Sequence, residues 1–426
     1  MLFRSFAKAF GVIQELIQSD LILAGHDISS GGLITTLLEM CFPTPTIGID
    51  LEVAALGTDL VKILFSENPG VVIQMDGKAD LTILDNQKIT YHIIGNITQR
   101  GSIKIQKLEL NINHLRDKWF HTSYLLDRIQ RPKGHAEKRQ SNYPKQPLEY
   151  KFQPRFNGKF SVYGIDAKRR TPSGIKAAII REKGVNGDRE MAYALYLAGF
   201  DVKDVHMTDL VSGREDLTGV NMIVFVGGFS NSDVLGSAKG WAGAFLYNPK
   251  AKAALDNFYA RPDTLSLGVC NGCQLMMELG LVYREMPMAE HPKMHHNGSG
   301  KFESTFITIN IPKNDSVMLQ SFEGARLGAW LAHGEGKFKL NDLSNYQVAA
   351  TFSYSEYPGN PNDSDFAVAA LTSKDGRHLA IMPHIERSLF PWNWPHYTRD
   401  KQVDEVGPWI EAFTNAKEWV KSKIKS

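Results

Sequence analysis

Cysteine is scarce: Cys41, Cys270 and Cys273 are the only three in 426 residues. So few thiols exclude a disulfide framework and fit a reducing compartment. No apolar run approaches the ~20 residues needed to span a bilayer. The start, Leu2-Phe-Arg-Ser-Phe-Ala-Lys8, lacks the apolar core of a secretory signal. A cytoplasmic location with no membrane partner is therefore expected. An excess of one charge is also missing, since 48 Lys and Arg face 46 Asp and Glu for a net charge of +2. That balance speaks against a nucleic-acid partner. What the chain has is apolar material, 43% of its residues, enough for two buried cores.

The most specific chemistry lies in Leu265-Ser-Leu-Gly-Val-Cys-Asn-Gly-Cys273. An apolar strand ends in a tight turn carrying Cys270, and Gly272 lets the following helix pack close to that strand, the pattern of a nucleophile elbow. A thiol at a helix N-terminus meets unpaired N–H groups and the positive end of the helix dipole, which favour the thiolate. Such a nucleophile needs a base. In Leu379-Ala-Ile-Met-Pro-His-Ile-Glu386, His384 can take the thiol proton, and Glu386 can hold the imidazole in its productive tautomer. An oxyanion site is expected from Met222-Ile-Val-Phe-Val-Gly-Gly-Phe-Ser230, through the amides of Gly228 and Phe229, together with the N–H of Asn271.

Plainer readings compete with each of these. A lone Cys is usually a small core hydrophobe, and Cys41 is read that way. Cys273 falls one helical turn past Cys270 and is expected to face the core. A Cys-x-x-Cys redox pair at 270 and 273 would leave His384 and Gly228 unexplained. The His-rich Glu290-His-Pro-Lys-Met-His-His-Asn297 stretch lacks Cys or acidic ligands at regular spacing, so no metal is expected.

Around the elbow, strands (175–181, 202–207, 222–226 and 264–269) alternate with a helix over 187–197 stopped by Gly199. This predicts a doubly wound α/β sheet, with Cys270 and the Gly227-Gly228 turn at carboxyl ends of strands, where open sheets place their sites. The region before Gly174 reads as a separate α+β lobe. Its run Leu21-Ile-Leu-Ala-Gly-His-Asp-Ile-Ser-Ser-Gly-Gly-Leu33 gives a strand, a Gly-rich loop and a helix. Strands are expected over 71–75, 81–84 and 88–94, and a helix over 113–130. His26 and Asp27 are expected at most to cap the helix beginning near Gly31. Between the units, 131–170 holds eleven Lys or Arg against Glu137, Glu149 and Asp166, and four prolines. It reads as a basic, extended linker whose charge packs against an acidic neighbouring surface.

Taken together, Gly268-Val-Cys-Asn-Gly-Cys-Gln274, Val226-Gly-Gly-Phe-Ser230, Ala332-His-Gly-Glu-Gly336 and Pro383-His-Ile-Glu-Arg387 resemble a known set. It is that of the triad-type, class I glutamine amidotransferase domain at the C-terminus of the large phosphoribosylformylglycinamidine synthases. Other triad glutaminases carry Gly-Gly-Pro-Gly in place of Gly-Gly-Phe-Ser. Ile385 departs from the Pro of many relatives. With Phe65-Ser-Glu-Asn-Pro-Gly-Val-Val-Ile-Gln74, the early region resembles the C-terminal lobe of the synthetase half of the same enzymes, a fold shared with aminoimidazole ribonucleotide synthetase. Ser30 stands where Asp is expected.

The resemblance implies three parts: a synthetase lobe (1–130), a linker (131–172) and a flavodoxin-like glutaminase (173–426). It implies that Cys270 attacks the side-chain amide of glutamine, His384 serves as acid and base, and Glu386 orients it. It also places Gln274, His333 and Glu335 beside the glutamine pocket; read as residues, these are a capping amide and a turn. The glutaminase step needs no cofactor. ATP and magnesium belong to the complete synthase, at a site expected outside this chain, so the remainder of the synthase is the expected partner, covalently joined or as a separate chain. An α/β cysteine hydrolase such as a peptidase, and a docking scaffold without catalysis, remain alternative readings.

Overall fold

Two kinds of strand pattern separate the two units into which the chain divides, Met1–Asp127 and Arg128–Ser426. The computed structural model describes residues 2–77 and 79–424. In the first unit the strands are short: β1 (Ile22–Asp27), β2 (Gly48–Leu51), β3 (Val71–Met75), β4 (Gly95–Thr98), β5 (Ser102–Ile105) and β6 (Leu108–Asn111). β1 pairs antiparallel with β3, and the other four form a sheet in the order β4-β2-β5-β6. The helix Gly32–Cys41 lays Leu33, Ile34, Leu37 and Cys41 into one core with Ile49, Leu51, Ile103 and Ile105. Cys41 is a core residue, and its burial pushes the thiol up to about 11.

Three expectations for this unit do not hold. Residues 81–84 lie in a helical turn, Thr82–Asn86, because Asp80 Oδ1 accepts the Thr82 N–H at 2.9 Å and starts the turn. That local turn outweighs the strand preference of Thr82 and Ile83. Residues 88–94 form no strand; Lys88 has φ 49°, and the ladder begins only at Gly95. His26 and Asp27 do not cap the helix with their side chains. Its N-cap is Gly31, whose N–H goes to Glu67 Oε1 at 2.9 Å, while His26 Nε2 lies 3.3 Å from Glu39.

The second unit contains β7 (Lys176–Arg181), β8 (Asp201–His206), β9 (Met222–Phe225), β10 (Leu265–Val269), β11 (Lys293–His295), β12 (Glu303–Asn310), β13 (Arg326–His333), β14 (Lys337–Lys339), β15 (Gln347–Phe352), β16 (Val368–Thr372) and β17 (His378–Ile381). Nine of these form one sheet in the order β13-β12-β15-β16-β17-β10-β9-β7-β8. The run β17-β10-β9-β7-β8 is parallel. Every residue of β9 and β10 is buried, as a parallel strand covered on both faces requires. The helix Asp188–Ala198 has Asp188 and Glu190 in its first turn and ends at Gly199, φ 102°. β12, β13, β15 and β16 add an antiparallel extension that periodicity did not reveal.

Residues 131–172 do not form an extended linker. They carry a helix, His135–Asn142, and are fastened along the second unit. Arg131 Nη1 lies 2.5 Å from Glu303, His135 Nε2 lies 2.9 Å from Asp363, and Arg169 Nη1 lies 2.9 Å from Asp201. Arg155 pairs with Glu411, and the Lys151 N–H donates to Arg326 O at 2.8 Å. The basic excess read from sequence is thus met by carboxylates far along the chain.

Close packing of the elbow helix depends on Gly272. A Cβ there would stand 1.9 Å from Phe225 O on β9, a backbone atom that cannot swing away. Gly272→Ala is expected to destabilise the second unit by about 1–3 kcal/mol or more, as overpacking against rigid backbone does. Urea unfolding followed by tryptophan fluorescence reads this; an unchanged midpoint would contradict the packing described.

Candidate active site

β10 delivers Cys270 to the N-cap of the helix Asn271–Glu278 at φ 53° and ψ −107°. A non-glycine residue persists there only because its surroundings fix it. The Cys270 N–H donates to Ile381 O of β17 at 3.0 Å, and its carbonyl accepts the Gln274 N–H at 3.0 Å. The turn is therefore tied at both sides, and the thiol projects from it. Cys273 is fully buried, and burial, with Cys270 adding to it, pushes its thiol well up. All three cysteines are free.

β17 brings in the base. Three residues past its end His384 is 1 % exposed, and its N–H donates to Trp330 O on β13 at 2.7 Å. The ring is clamped by Glu386, whose Oε1 lies 2.6 Å from His384 Nδ1. Nδ1 thus carries the proton toward the carboxylate, and Nε2 is left for the sulfur. The glycine at 227 shows how near the two are: a Cβ there would lie 2.7 Å from His384 Cε1, 3.6 Å from His384 Nε2 and 3.3 Å from Cys270 Cβ. Burial by itself favours neutral His384, but the Glu386 carboxylate and the Cys270 sulfur outweigh it and raise the pKa to about 9. Ile385 is buried in the core and contributes its side chain to neither neighbour.

The edge strand β13 completes the wall. Its Trp330 carbonyl takes the His384 N–H, and two residues on, the Ala332 carbonyl lies 3.4 Å from Cys270 Sγ, able to accept the S–H of the neutral thiol. Once the proton is on His384 that carbonyl offers the sulfur nothing. No sequence signal marks these contacts, because backbone carbonyls carry no residue code.

The three expected oxyanion donors fare differently. Gly228 sits at φ 124°, where a Cβ would meet Val185 Cα at 2.5 Å, so the turn admits only glycine. The Phe229 N–H is already donated to Gly184 O at 2.8 Å and is not free for a substrate oxygen. The loop 184–186, which sequence reading did not single out, takes that donor while holding Gly227 through the Asn186 N–H at 2.8 Å. Asn271 starts the elbow helix, so its N–H has no carbonyl one turn back. Gly228 and Asn271 stay as candidate donors.

The residues expected at the glutamine pocket are brought to the same corner with their polar atoms largely committed. Asn271 Oδ1 accepts the Ser230 N–H at 3.3 Å, and Asn271 Nδ2 donates to Gln274 Oε1 at 2.9 Å. Gln274 Nε2 donates in turn to Glu335 O at 2.8 Å. Gln274 therefore anchors the 334–336 loop and has no free amide end. Glu335 Oε1 accepts the Ser237 N–H at 3.3 Å. His333 is buried beside the Ala332 carbonyl.

A nucleophilic sulfur beside a clamped imidazole suits acyl transfer from an amide. A model of the CobB/CobQ-like glutamine amidotransferase domain matches residues 174–420. The chain belongs to that family. A model of the C-terminal domain of AIR synthase related proteins matches residues 7–107, within the first unit. Over 97% of its length the chain is 39% identical to a probable chloroplastic/mitochondrial phosphoribosylformylglycinamidine synthase of Arabidopsis thaliana, covering 31% of that protein. It is 38% identical to the human phosphoribosylformylglycinamidine synthase over 97% of the chain and 33% of the relative. The chain spans about a third of the length of these curated relatives. Among solved structures, PurLQS from Thermotoga maritima matches 59% of this chain and 99% of its own, at 22% identity and a TM-score of 0.43.

Two histidines of the amidotransferase domain are held neutral. His333 is lowered to about 3 by burial, with the neighbouring His384 adding to it. His378 is lowered to about 3 by burial, with Arg377 adding to it; its Nδ1 lies 2.9 Å from Ser266 Oγ and its ring 4.5 Å from that of Tyr259. Below about pH 6.5 the unfolded chain takes protons that both folded sites refuse. Stability is therefore expected to fall on acidification from pH 6.5 toward 3, by up to about 1.4 kcal/mol per pH unit for each histidine. Urea midpoints across that range check it, and His378→Gln is expected to flatten the slope.

Proposed function

We propose that the chain is the glutaminase part of a phosphoribosylformylglycinamidine synthase, hydrolysing glutamine to glutamate and ammonia. The single observation that carries this reading is the line Cys270–His384–Glu386, drawn tight by the 2.6 Å imidazole–carboxylate contact at a strained elbow. With the proton already held on His384, the Cys270 sulfur attacks the side-chain carboxamide carbon. The carbonyl oxygen becomes negative against the Gly228 and Asn271 N–H groups. His384 then gives the proton to the departing nitrogen, which leaves as ammonia and a glutamyl thioester on Cys270. Water, with His384 as base, attacks that thioester and frees glutamate and the thiol. Because protonating the leaving nitrogen requires the imidazolium, turnover falls as pH rises through about 9.

In this reading ammonia passes to the rest of the synthase for ATP-dependent amidation of formylglycinamide ribonucleotide to formylglycinamidine ribonucleotide, in purine biosynthesis. ATP and magnesium serve that second reaction and enter no step at Cys270. The partners are glutamine and the remaining portion of the synthase. The location is cytoplasmic, which the three free thiols suit. Among the described residues no helix is long and apolar enough to cross a membrane.

The test is glutamate release from glutamine by the purified chain, alone and with the ATP-binding portion of a synthase added. Slow release that this portion accelerates is expected. Alkylation of Cys270 that glutamine does not retard, with no glutamate formed under either condition, would overturn the reading.

A further inference from the structure

A cleft of about 830 Å³ opens on the second unit, and the reaction above makes no use of it. Its walls are the stretch 169–172, one face of the helix Asp188–Ala198, and the starts of β7 and β8. β8 is an edge of the nine-stranded sheet, with β9 and β7 between it and β10, so the cleft is separate from Cys270. The helix sets Arg189, Tyr193 and Tyr196 into it, a single stripe at helical spacing. The two tyrosine rings lie 6.4 Å apart and within 14° of parallel, and Tyr193 stays 45% exposed. Tyr196 is fixed, since its hydroxyl donates to Arg169 O at 2.6 Å and the Arg169 guanidinium lies 5.1 Å from its ring centre. Arg169 is spent on Asp201 at 2.9 Å and Phe200 O at 2.6 Å. Asp201, the carboxylate of the lining, also accepts the Ser173 and Gly174 N–H groups at 2.9 and 2.8 Å, so its charge is met within the wall.

Three cations are left over. Arg170, which closes the basic stretch, Lys176 at the start of β7, and Arg189 are all exposed, and among the described residues their side chains have no carboxylate or hydrogen-bond partner. Single free cations are common on surfaces, but three lining one concavity repel one another and focus a positive field into it. They are divided between its ends. Lys176 is paired in register with Asp201 at the start of β8, just past the helix stop at Gly199, and Arg170 adjoins the arginine bound to Asp201. Arg189 lies about 10 Å back along the helix from Tyr196. One small anion does not span that distance. We propose that the cleft binds a nucleotide, with its phosphates on Arg170 and Lys176 and its base against Tyr193. The base edge then reaches Arg189, whose guanidinium donates to ring nitrogen and carbonyl acceptors. The cleft volume is that of small-molecule sites, and its wall is tied in place before any ligand arrives. None of these residues belongs to the triad, so the inference stands apart from the glutaminase reading.

The test is isothermal titration calorimetry of the full chain with adenosine diphosphate, inorganic pyrophosphate and adenosine. The diphosphate nucleotide is expected to bind about tenfold or more tightly than either fragment, because stacking and charge act together. Tyr193→Ala should weaken the nucleotide by about 5- to 100-fold and leave pyrophosphate unchanged. Arg189→Ala should likewise weaken the nucleotide alone. Arg170→Glu and Lys176→Glu should each weaken both nucleotide and pyrophosphate by about tenfold, and by less at high salt. Nucleotide binding that none of these substitutions alters belongs elsewhere on the chain and would overturn the proposal, as would no binding at all. Equal affinity for pyrophosphate and nucleotide, unmoved by Tyr193→Ala, would refute the base contact. Should a variant not fold, hydrogen exchange of the unaltered chain decides. Adenosine diphosphate should slow the amides of 169–176 and 189–196, and protection confined to other segments would refute the site.

Discussion

Cys270→Ala is expected to abolish glutamate release, by a factor on the order of 10⁴ or more, while leaving the fold and glutamine binding intact. Every covalent step passes through Sγ, so the loss is in kcat and not in KM. The substitution removes one atom from a turn whose backbone is tied independently, through the Cys270 N–H to Ile381 O and its carbonyl to the Gln274 N–H. Relief of the strained φ of 53° is small, since Ala retains a Cβ. Steady-state assays with coupled glutamate detection, together with far-ultraviolet circular dichroism, separate lost chemistry from lost structure. Residual Cys270-independent turnover at more than about a hundredth of the original rate would point to another nucleophile.

Glu386→Gln is the second large effect, and it acts through the histidine alone. The Oε1 contact at 2.6 Å holds the Nδ1 proton in place, and an amide can offer an N–H there instead, which favours the wrong tautomer. Loss of about 10³–10⁴ in kcat is expected, with KM little changed. A pH signature accompanies it. In the folded chain His384 is raised to about 9, above its unfolded value of about 6.5. The imidazolium then contributes stability that is complete below pH 6.5 and disappears as pH rises through 9. Removing the carboxylate removes the largest of the influences that raise it, so the variant's His384 loses its proton at lower pH. Urea midpoints at pH 6 and pH 9.5 should differ less in Glu386→Gln than in the unaltered chain, and the alkaline limb of any residual activity should move downward. An unmoved limb would mean that Glu386 does not set the charge on His384.

How far the sequence reached depends on what kind of group does the work. Side chains at apolar strand ends were legible: Cys270, His384 and Glu386 each follow a buried run, and parallel strands place such ends at one edge of the sheet. Groups belonging to the backbone were not. Nothing in Ala332 or Trp330 signals that their carbonyls face the sulfur and the histidine amide, and nothing in Phe229 signals that Gly184 takes its N–H. The same holds for β12 to β16, where antiparallel pairing links residues far apart in the chain. In the first unit the failures were local. Asp80 turned a strand-like stretch into a helix through one hydrogen bond. The segment 131–172 was read rightly as packing its charge against acidic groups, here Glu303, Asp363 and Glu411, but wrongly as extended, since it carries the helix His135–Asn142.

The measurement that bears most directly on the central claim is intact-peptide mass spectrometry of the chain mixed with glutamine and quenched in acid within one turnover. The expected result is a mass gain of one glutamyl group on the peptide carrying Cys270, lost on treatment with hydroxylamine and absent in Cys270→Ala. Glutamate released without any such adduct, or an adduct on a different residue, would contradict the account.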